Sequence, residues 1–275
     1  MSQWADHITT LKLGQPWRRG YRQAMQELLT LAVRLADEAA AAIRSIRAAG
    51  FAVETKADAT PVTLADQQAE ALITAGLRAA APDIPVVAEE EVAAGRITAP
   101  ATRYWLVDPL DGTREFAAGR DEFAVCIGLI ENGVPVLGAV ASPALNELHF
   151  GAVGQGAWRR KGGMEKNISA RNVPPEGLTV FASRHYQHAP ELAACLARHK
   201  VAHLTNIGSA LKFLRLAEGN ADFYPRLGRT MEWDTAAPQA VLEAAGGVVL
   251  TVSGTPLRYG KPGWENPDFF AWGKL

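Results

Sequence analysis

Cysteine is scarce in this chain: two residues among 275, Cys126 and Cys195, far apart in sequence. That excludes a disulfide framework, and Cys126 lies inside the apolar run Phe123–Ile130, where a small buried hydrophobe accounts for it. No apolar run approaches the length needed to span a bilayer. Excess charge is missing too. There are 28 Lys plus Arg against 29 Asp plus Glu, which removes the basic footprint of a nucleic-acid binder. Small clusters, Arg18-Arg19 with Arg22 and Arg159-Arg160-Lys161, read as solvated surface. The six histidines show no metal-ligand spacing, and no G-x-S-x-G elbow offers a serine nucleophile. Gly151, Gly154 and Gly156 lack the spacing of a dinucleotide loop and read as turn glycines. A polar N-terminus together with the sparing use of cysteine predicts a reducing cytoplasm.

The length accommodates one large domain or two smaller ones sharing a sheet. Residues 1–20 hold no persistent period and read as an extension. From Tyr21 to Ala49, Leu28, Leu31, Leu35, Ala39, Ala42 and Ile46 recur near the helical period, and Gly50 is a natural stop. A polar connection leads to a second predicted helix, Leu64 to Ala80, capped by Thr63 with Asp66 in its first turn. Ile84–Ala88 reads as a short strand running into Glu89-Glu90-Glu91. Beyond it, Phe123–Ile130 and Val134–Ala141 flank Asn132-Gly133, a hairpin signal, and Glu147–Ala152 and Gly156–Arg160 continue the meander. A loop-like Lys161–Gly163 and a proline-rich stretch then precede alternating strands and helices that end at Phe269–Trp272. The predicted organisation is an extension (1–20), an α+β half (21–165) and an α/β half (166–275) in a layered α/β fold.

The stretch that organises the chain begins as an apolar strand, Trp105-Leu106-Val107, and ends in Asp108-Pro109-Leu110-Asp111-Gly112-Thr113. Pro109 has no N–H and predicts the end of the strand there, while Gly112 permits the tight backbone that follows. Two carboxylates so close repel each other at neutral pH, and a bridging divalent cation removes that repulsion. The same dipeptides also make ordinary turns, and spacing alone leaves both readings open. Two other acids stand at element ends: Glu89, and Asp234 in Trp233-Asp234-Thr235-Ala236-Ala237. Asp234 is placed at a predicted helix N-cap, where free N–H groups and the positive end of the dipole also favour a phosphate. Hard oxygen ligands without a paired His or Cys favour Mg²⁺ over zinc.

Glu-Glu, then Asp-Pro-Leu-Asp-Gly-Thr at this distance, then a remote Trp-Asp-Thr-Ala-Ala resembles the inositol monophosphatase family of lithium-sensitive, Mg²⁺-dependent phosphatases. The resemblance runs from Tyr21 to the C-terminus and implies that family's αβαβα sandwich. It further implies a set of roles. Glu89, Asp108 and the Leu110 carbonyl would hold one Mg²⁺, and Asp108, Asp111 and Asp234 a second, with two or three ions in all. Asp58 matches a mobile-loop aspartate that, with Thr113, orients and deprotonates the attacking water. Glu90 would assist from behind, and Gly112 and Thr113 would offer backbone N–H groups to the phosphate. The displacement would be in line, without a phosphoenzyme.

Ile207-Gly208-Ser209-Ala210-Leu211-Lys212-Phe213, followed by Ala221-Asp222-Phe223-Tyr224-Pro225-Arg226, resembles the bacterial 3′(2′),5′-bisphosphate nucleotidase branch. Its members take adenosine 3′,5′-bisphosphate, a by-product of sulfate assimilation, to AMP. Ser209, Lys212 and Arg226 then join the substrate-binding set with Glu89, Leu110, Asp111, Gly112, Thr113 and Asp234, the two cations facing a second phosphate. Ser183-Arg184-His185 departs from the Ser-Arg-Ser-His of that branch, which leaves His185 outside the predicted site. The alternatives are an inositol or sugar monophosphatase of the same fold, and a non-catalytic phosphometabolite-binding protein. The second is disfavoured because every predicted ligand position carries a suitable acid. The predicted partner is a small phosphorylated molecule, not a nucleic acid polymer or a membrane-spanning assembly, and monomer and homodimer fit equally. Some bacterial relatives are placed on the cytoplasmic face of the inner membrane, but no strongly amphipathic basic helix is evident here to anchor one.

Overall fold

The computed structural model describes residues 19–55, 61–96, 98–99, 101–184 and 189–275. Most of the predicted extension, together with Asp58 and His185, lies outside them. Helix α1 (Arg19–Ala49) and helix α2 (Leu64–Ala80) pack side by side on one face of a seven-stranded sheet. The buried stripe of α1 is Met25, Leu29, Ala32, Leu35, Ala36, Ala39, Ala40 and Ile43. It is rotated slightly from the predicted one, so that Leu28, Leu31 and Ile46 are only partly covered. Thr63 caps α2 as predicted: its hydroxyl accepts from the Ala65 N–H at 3.1 Å, and Asp66 accepts the Thr63 N–H at 2.7 Å.

The large sheet holds, in spatial and chain order, β3 (Val86–Ala88), β4 (Arg103–Asp111), β5 (Ala124–Glu131), β6 (Val134–Ser142), β7 (Glu147–Ala152), β8 (Gly156–Lys161) and β9 (Met164–Ile168). Only β3 and β4 run parallel; the others form an antiparallel meander. Asn132-Gly133 turns β5 into β6 with both residues at positive φ, as the Asn-Gly signal predicts. Gly162-Gly163 does the same between β8 and β9, so the segment read as loop is a hairpin that extends the sheet. Short strands β1 (Val53–Thr55) and β2 (Pro61–Thr63) form a separate antiparallel pair.

A second sheet has the order β11-β10-β12-β14-β13: β10 is Leu178–Ser183, β11 Val201–Ile207, β12 Phe223–Arg226, β13 Val248–Thr251 and β14 Phe269–Trp272. Between the sheets lie α6 (Leu211–Ala217) and α7 (Glu232–Ala244), and α5 (Pro190–Leu196) covers the outer face. Helices and sheets thus alternate as αβαβα. Strand β4 shows how one sequence serves two cores by its period of two: Tyr104 and Leu106 face α6 and α7, while Trp105 and Val107 face α1 and α2.

Pro109 does not end the strand. β4 continues to Asp111, but the pairing shifts: Asp108 stands opposite Cys126 and Asp111 opposite Ala124, leaving one extra residue on β4. This is a bulge, where a missing N–H breaks no ladder bond. Gly112 (φ 95°) then turns the chain into α4 (Thr113–Ala117). A Cβ at Gly112 would lie 2.9 Å from the Glu122 carbonyl. Phe116, stacked on Phe51 and edge-on to Phe123 at 4.3 and 5.0 Å between centroids, fixes α4 in place.

Helix α7 lies directly on the sheet backbone. A Cβ at Gly138 would stand 2.2 Å from the Ala237 carbonyl oxygen, and one at Gly128 2.7 Å from the Ala237 nitrogen. Side chains at these positions would lift the helix that carries Asp234. Gly138→Ala should therefore destabilise the fold by about 1–3 kcal/mol, an overpacking cost readable as a lower midpoint in thermal or urea denaturation.

Candidate active site

Asp108 and Asp111 at the end of β4, Gly112 and Thr113 at the start of α4, Glu89 at the start of α3 (Glu89–Ala93) and Asp234 in α7 converge on one cleft of about 380 Å³. Ser209, Lys212 and Arg226 line the same cleft. Of the predicted residues within the described chain, Glu90 is the one outside this lining; its N–H donates to Glu70 at 2.7 Å.

Each aspartate is aimed by backbone. Oδ1 of Asp108 accepts the Leu110 N–H at 2.9 Å, across the bulge. Oδ2 of Asp234 accepts the Met231 N–H at 2.9 Å. Asp234 is thus the third residue of α7 and not its N-cap, because the helix begins at Glu232, two residues earlier than predicted. That earlier start is held by Glu232, fully buried, which accepts the Gly260 and Lys261 N–H groups at 2.8 and 2.9 Å. Oδ2 of Asp111 accepts the Ser209 hydroxyl at 2.6 Å and the Ala210 N–H. In all three aspartates one oxygen is committed to protein donors, and no hydrogen bond from a described residue reaches the other.

The electrostatics follow from that convergence. Burial, then the charges of Glu89, Asp111 and Asp234, push the Asp108 carboxyl well above its ordinary value. Burial and the Asp111 and Glu89 charges raise Asp234 to about 8. Burial also raises Asp111, against the Ser209 hydroxyl and the Lys212 charge, which pull it down. Buried acids whose charges raise Asp108 and Asp234, with three aspartates that each keep one oxygen clear of the described donors, fit a hard divalent cation. The cleft therefore meets the requirement of a metal-dependent site in donor type and charge.

Three further residues belong to this arrangement. Thr113 places its hydroxyl 3.0 Å from Asp66 Oδ1 and 3.1 Å from the Leu110 carbonyl, and its single proton serves one of them at a time. Asp66 is almost fully buried and joins the cap of α2 to the cleft. Glu70, one turn further along α2 and equally hidden, holds the first turn of α3 through the Glu90 N–H and so fixes the approach of Glu89. Burial, with the Glu90 and Glu91 charges, raises its carboxyl to about 7. The third is Arg229, which lines the rim beside Arg226.

A second group of possible ligands, Glu147, His149 and Glu218, has atoms within 4.8 Å of one another. Arg159, Lys161 and Arg215 already pair with its carboxylates at 2.5, 2.9 and 3.1 Å. Glu147, although buried, is held at about 2 by hydrogen bonds from Lys161 and Arg159 and by the nearby charges. Its charge is spent on those cations, and the group serves as an ion-pair knot joining β7, β8 and α6.

Comparison with known proteins agrees with the geometry. The family model described as "Inositol monophosphatase family" matches residues 24–268. The 3′(2′),5′-bisphosphate nucleotidase CysQ of Escherichia coli K12 is 43% identical over 218 residues, covering 79% of this chain and 87% of that protein. Among solved structures, CysQ from Bacteroides thetaiotaomicron superposes with a TM-score of 0.75 at 32% identity, over 91% of this chain and 98% of that one. An inositol monophosphatase from Anabaena gives 0.72 at 27% identity, over 91% and 92%.

Cation binding at the convergent carboxylates has a thermodynamic signature. Adding Mg²⁺ or Mn²⁺ to the metal-free protein should raise its thermal midpoint, with about 2.7 kcal/mol gained at a hundredfold excess over Kd. Asp111→Asn should keep the fold, lose most of that gain, and melt no lower than the wild type without metal. Scanning calorimetry of both proteins, with and without cation, checks each part.

Proposed function

Because the chain belongs to the inositol monophosphatase family, we propose that its cleft hydrolyses a phosphate monoester with Mg²⁺, removing the 3′-phosphate of adenosine 3′,5′-bisphosphate to leave AMP. The observation that carries this reading is the pairing of two walls in one cleft. One is acidic, with Glu89, Asp108, Asp111 and Asp234; the other carries Arg226 and Arg229. A monophosphate on a neutral ring has no use for a second cationic wall. A nucleoside bisphosphate does, since its remote phosphate is a dianion that Arg binds in bidentate fashion. The similarity to enzymes named as bisphosphate nucleotidases supports the same choice.

Glu89, Asp108 and the Leu110 carbonyl would hold one Mg²⁺, and Asp108, Asp111 and Asp234 another. Two such ions lower the pKa of a bound water and neutralise charge on the phosphate. The protein's own part is orientation and proton placement. With its proton on Asp66, the Thr113 oxygen keeps a lone pair to accept a hydrogen bond from the attacking water. Asp58 takes that water's proton, as the family resemblance implies. The N–H groups of Gly112 and Thr113 hold the phosphate oxygens against the start of α4. Arg226 and Arg229 bind the 5′-phosphate and hold the ribose so that the ester oxygen leaves in line.

Phosphate release from adenosine 3′,5′-bisphosphate and from inositol monophosphate, each with and without Mg²⁺, tests this directly. The expected result is Mg²⁺-dependent turnover with clear preference for the nucleotide; preference for inositol monophosphate would overturn the assignment. Arg226→Ala should raise KM for the bisphosphate about tenfold while leaving a simple monophosphate nearly unchanged, the cost of one charge-assisted pair.

A further inference from the structure

Three features where β11 passes into α6 serve no step of the hydrolysis. The first is Lys212, 3% exposed, with its ammonium donating to the Ser209 carbonyl at 2.6 Å and the Ile207 carbonyl at 3.3 Å. The face of the Tyr224 ring lies 5.0 Å from it. Two of its three protons are therefore occupied by the protein's own backbone. The second is Ser209, whose φ of 61° places a residue with a side chain in the left-handed region. Such a conformation persists only where its surroundings impose it. The third is Gly208, where a Cβ would stand 2.9 Å from the Glu115 side chain, so the loop has no room to slide.

All three bear on one atom. From its left-handed conformation Ser209 sends its hydroxyl to Asp111 Oδ2, and the next residue sends its N–H to the same oxygen. We propose that Lys212 is a positioning residue for Asp111. By drawing the Ile207 and Ser209 carbonyls onto one ammonium, it holds Ser209 where two donors fill Oδ2, leaving Oδ1 as the oxygen offered to a divalent cation. This rests on the metal-dependent reading of the cleft and departs from the view of Lys212 as a contact to a second phosphate.

The sign of the effect separates positioning from charge. A positive charge beside Asp111 repels a metal ion, so its removal by itself tightens cation binding. Loss of positioning weakens it, as happens when residues that orient a metal ligand are removed. The probe is Mn²⁺ alone, titrated into metal-free protein by calorimetry or by its electron paramagnetic resonance signal, with no substrate present. Lys212→Met should raise the Mn²⁺ Kd about tenfold, and Ser209→Ala should shift it in the same direction. An unchanged or tighter Kd in folded Lys212→Met overturns the inference. If circular dichroism shows that Lys212→Met does not fold, an unchanged Kd in Ser209→Ala overturns it instead. A loss confined to KM for the bisphosphate, with Mn²⁺ affinity intact, assigns Lys212 to the second phosphate and likewise refutes the proposal. Failure of the wild type to bind Mn²⁺ is a different result: it refutes the phosphatase reading, and this inference falls with it.

Discussion

Mutual repulsion among Glu89, Asp108, Asp111 and Asp234 is the constraint to which the rest of the molecule answers. Two unit charges 4 Å apart interact by about 4 kcal/mol at an effective dielectric of 20, and here four acids share one partly buried cleft. Nothing local to any one segment would bring them together. They come from the starts of α3 and α7 and from the end of β4; β4 is buried in both cores and α7 in one, while the first turn of α3 is held by Glu70. The layered packing supplies the force that holds like charges at close range, and a cation would convert the strain into affinity.

The supporting contacts act on direction. Each aspartate gives one oxygen to a donor that cannot rotate away: the Leu110, Met231 and Ala210 N–H groups. A backbone donor costs no side-chain entropy and cannot be mistaken for a ligand, so it fixes a carboxylate without competing for the ion. Asp66 and Glu70 extend the arrangement into α2, joining the helix that covers the sheet to Thr113 and to the approach of Glu89. A helix that looks purely structural is therefore part of the site's frame.

Much of this was legible in the sequence. The two acidic motifs, the helix cap at Thr63, the Asn-Gly hairpin and the alternating second half each carry a local signal, and each is found in place. What escaped is what local signals do not encode. The role of Asp66 was hidden because an acid in the first turn of a helix reads as a cap, and that of Glu70 because it belongs to no motif; the clue was their place in the buried stripe with Ala69, Ile73 and Thr74. Asp234 looked like an N-cap because Glu232, which anchors the true first turn, depends on Gly260 and Lys261 far along the chain. The carbonyl partners of Lys212 were hidden because they come within its reach only once the loop before α6 has closed over it. Arg229, on the rim, has no periodic or motif signature at all.

The bulge at Pro109 has a meaning in terms of parity. Asp108 and Asp111 are separated by an odd number of steps, and on a regular strand such residues face opposite sides of the sheet. One would point into the cleft and the other into the apolar layer beneath α1 and α2, and the two could never meet at one ion. The extra residue restores evenness: Cys126 and Ala124, opposite Asp108 and Asp111, lie on the same face, while Leu110 between them turns into the other core. A proline, the residue least able to continue a ladder, stands where the count has to slip, and that slip makes two strand residues neighbours in chemistry.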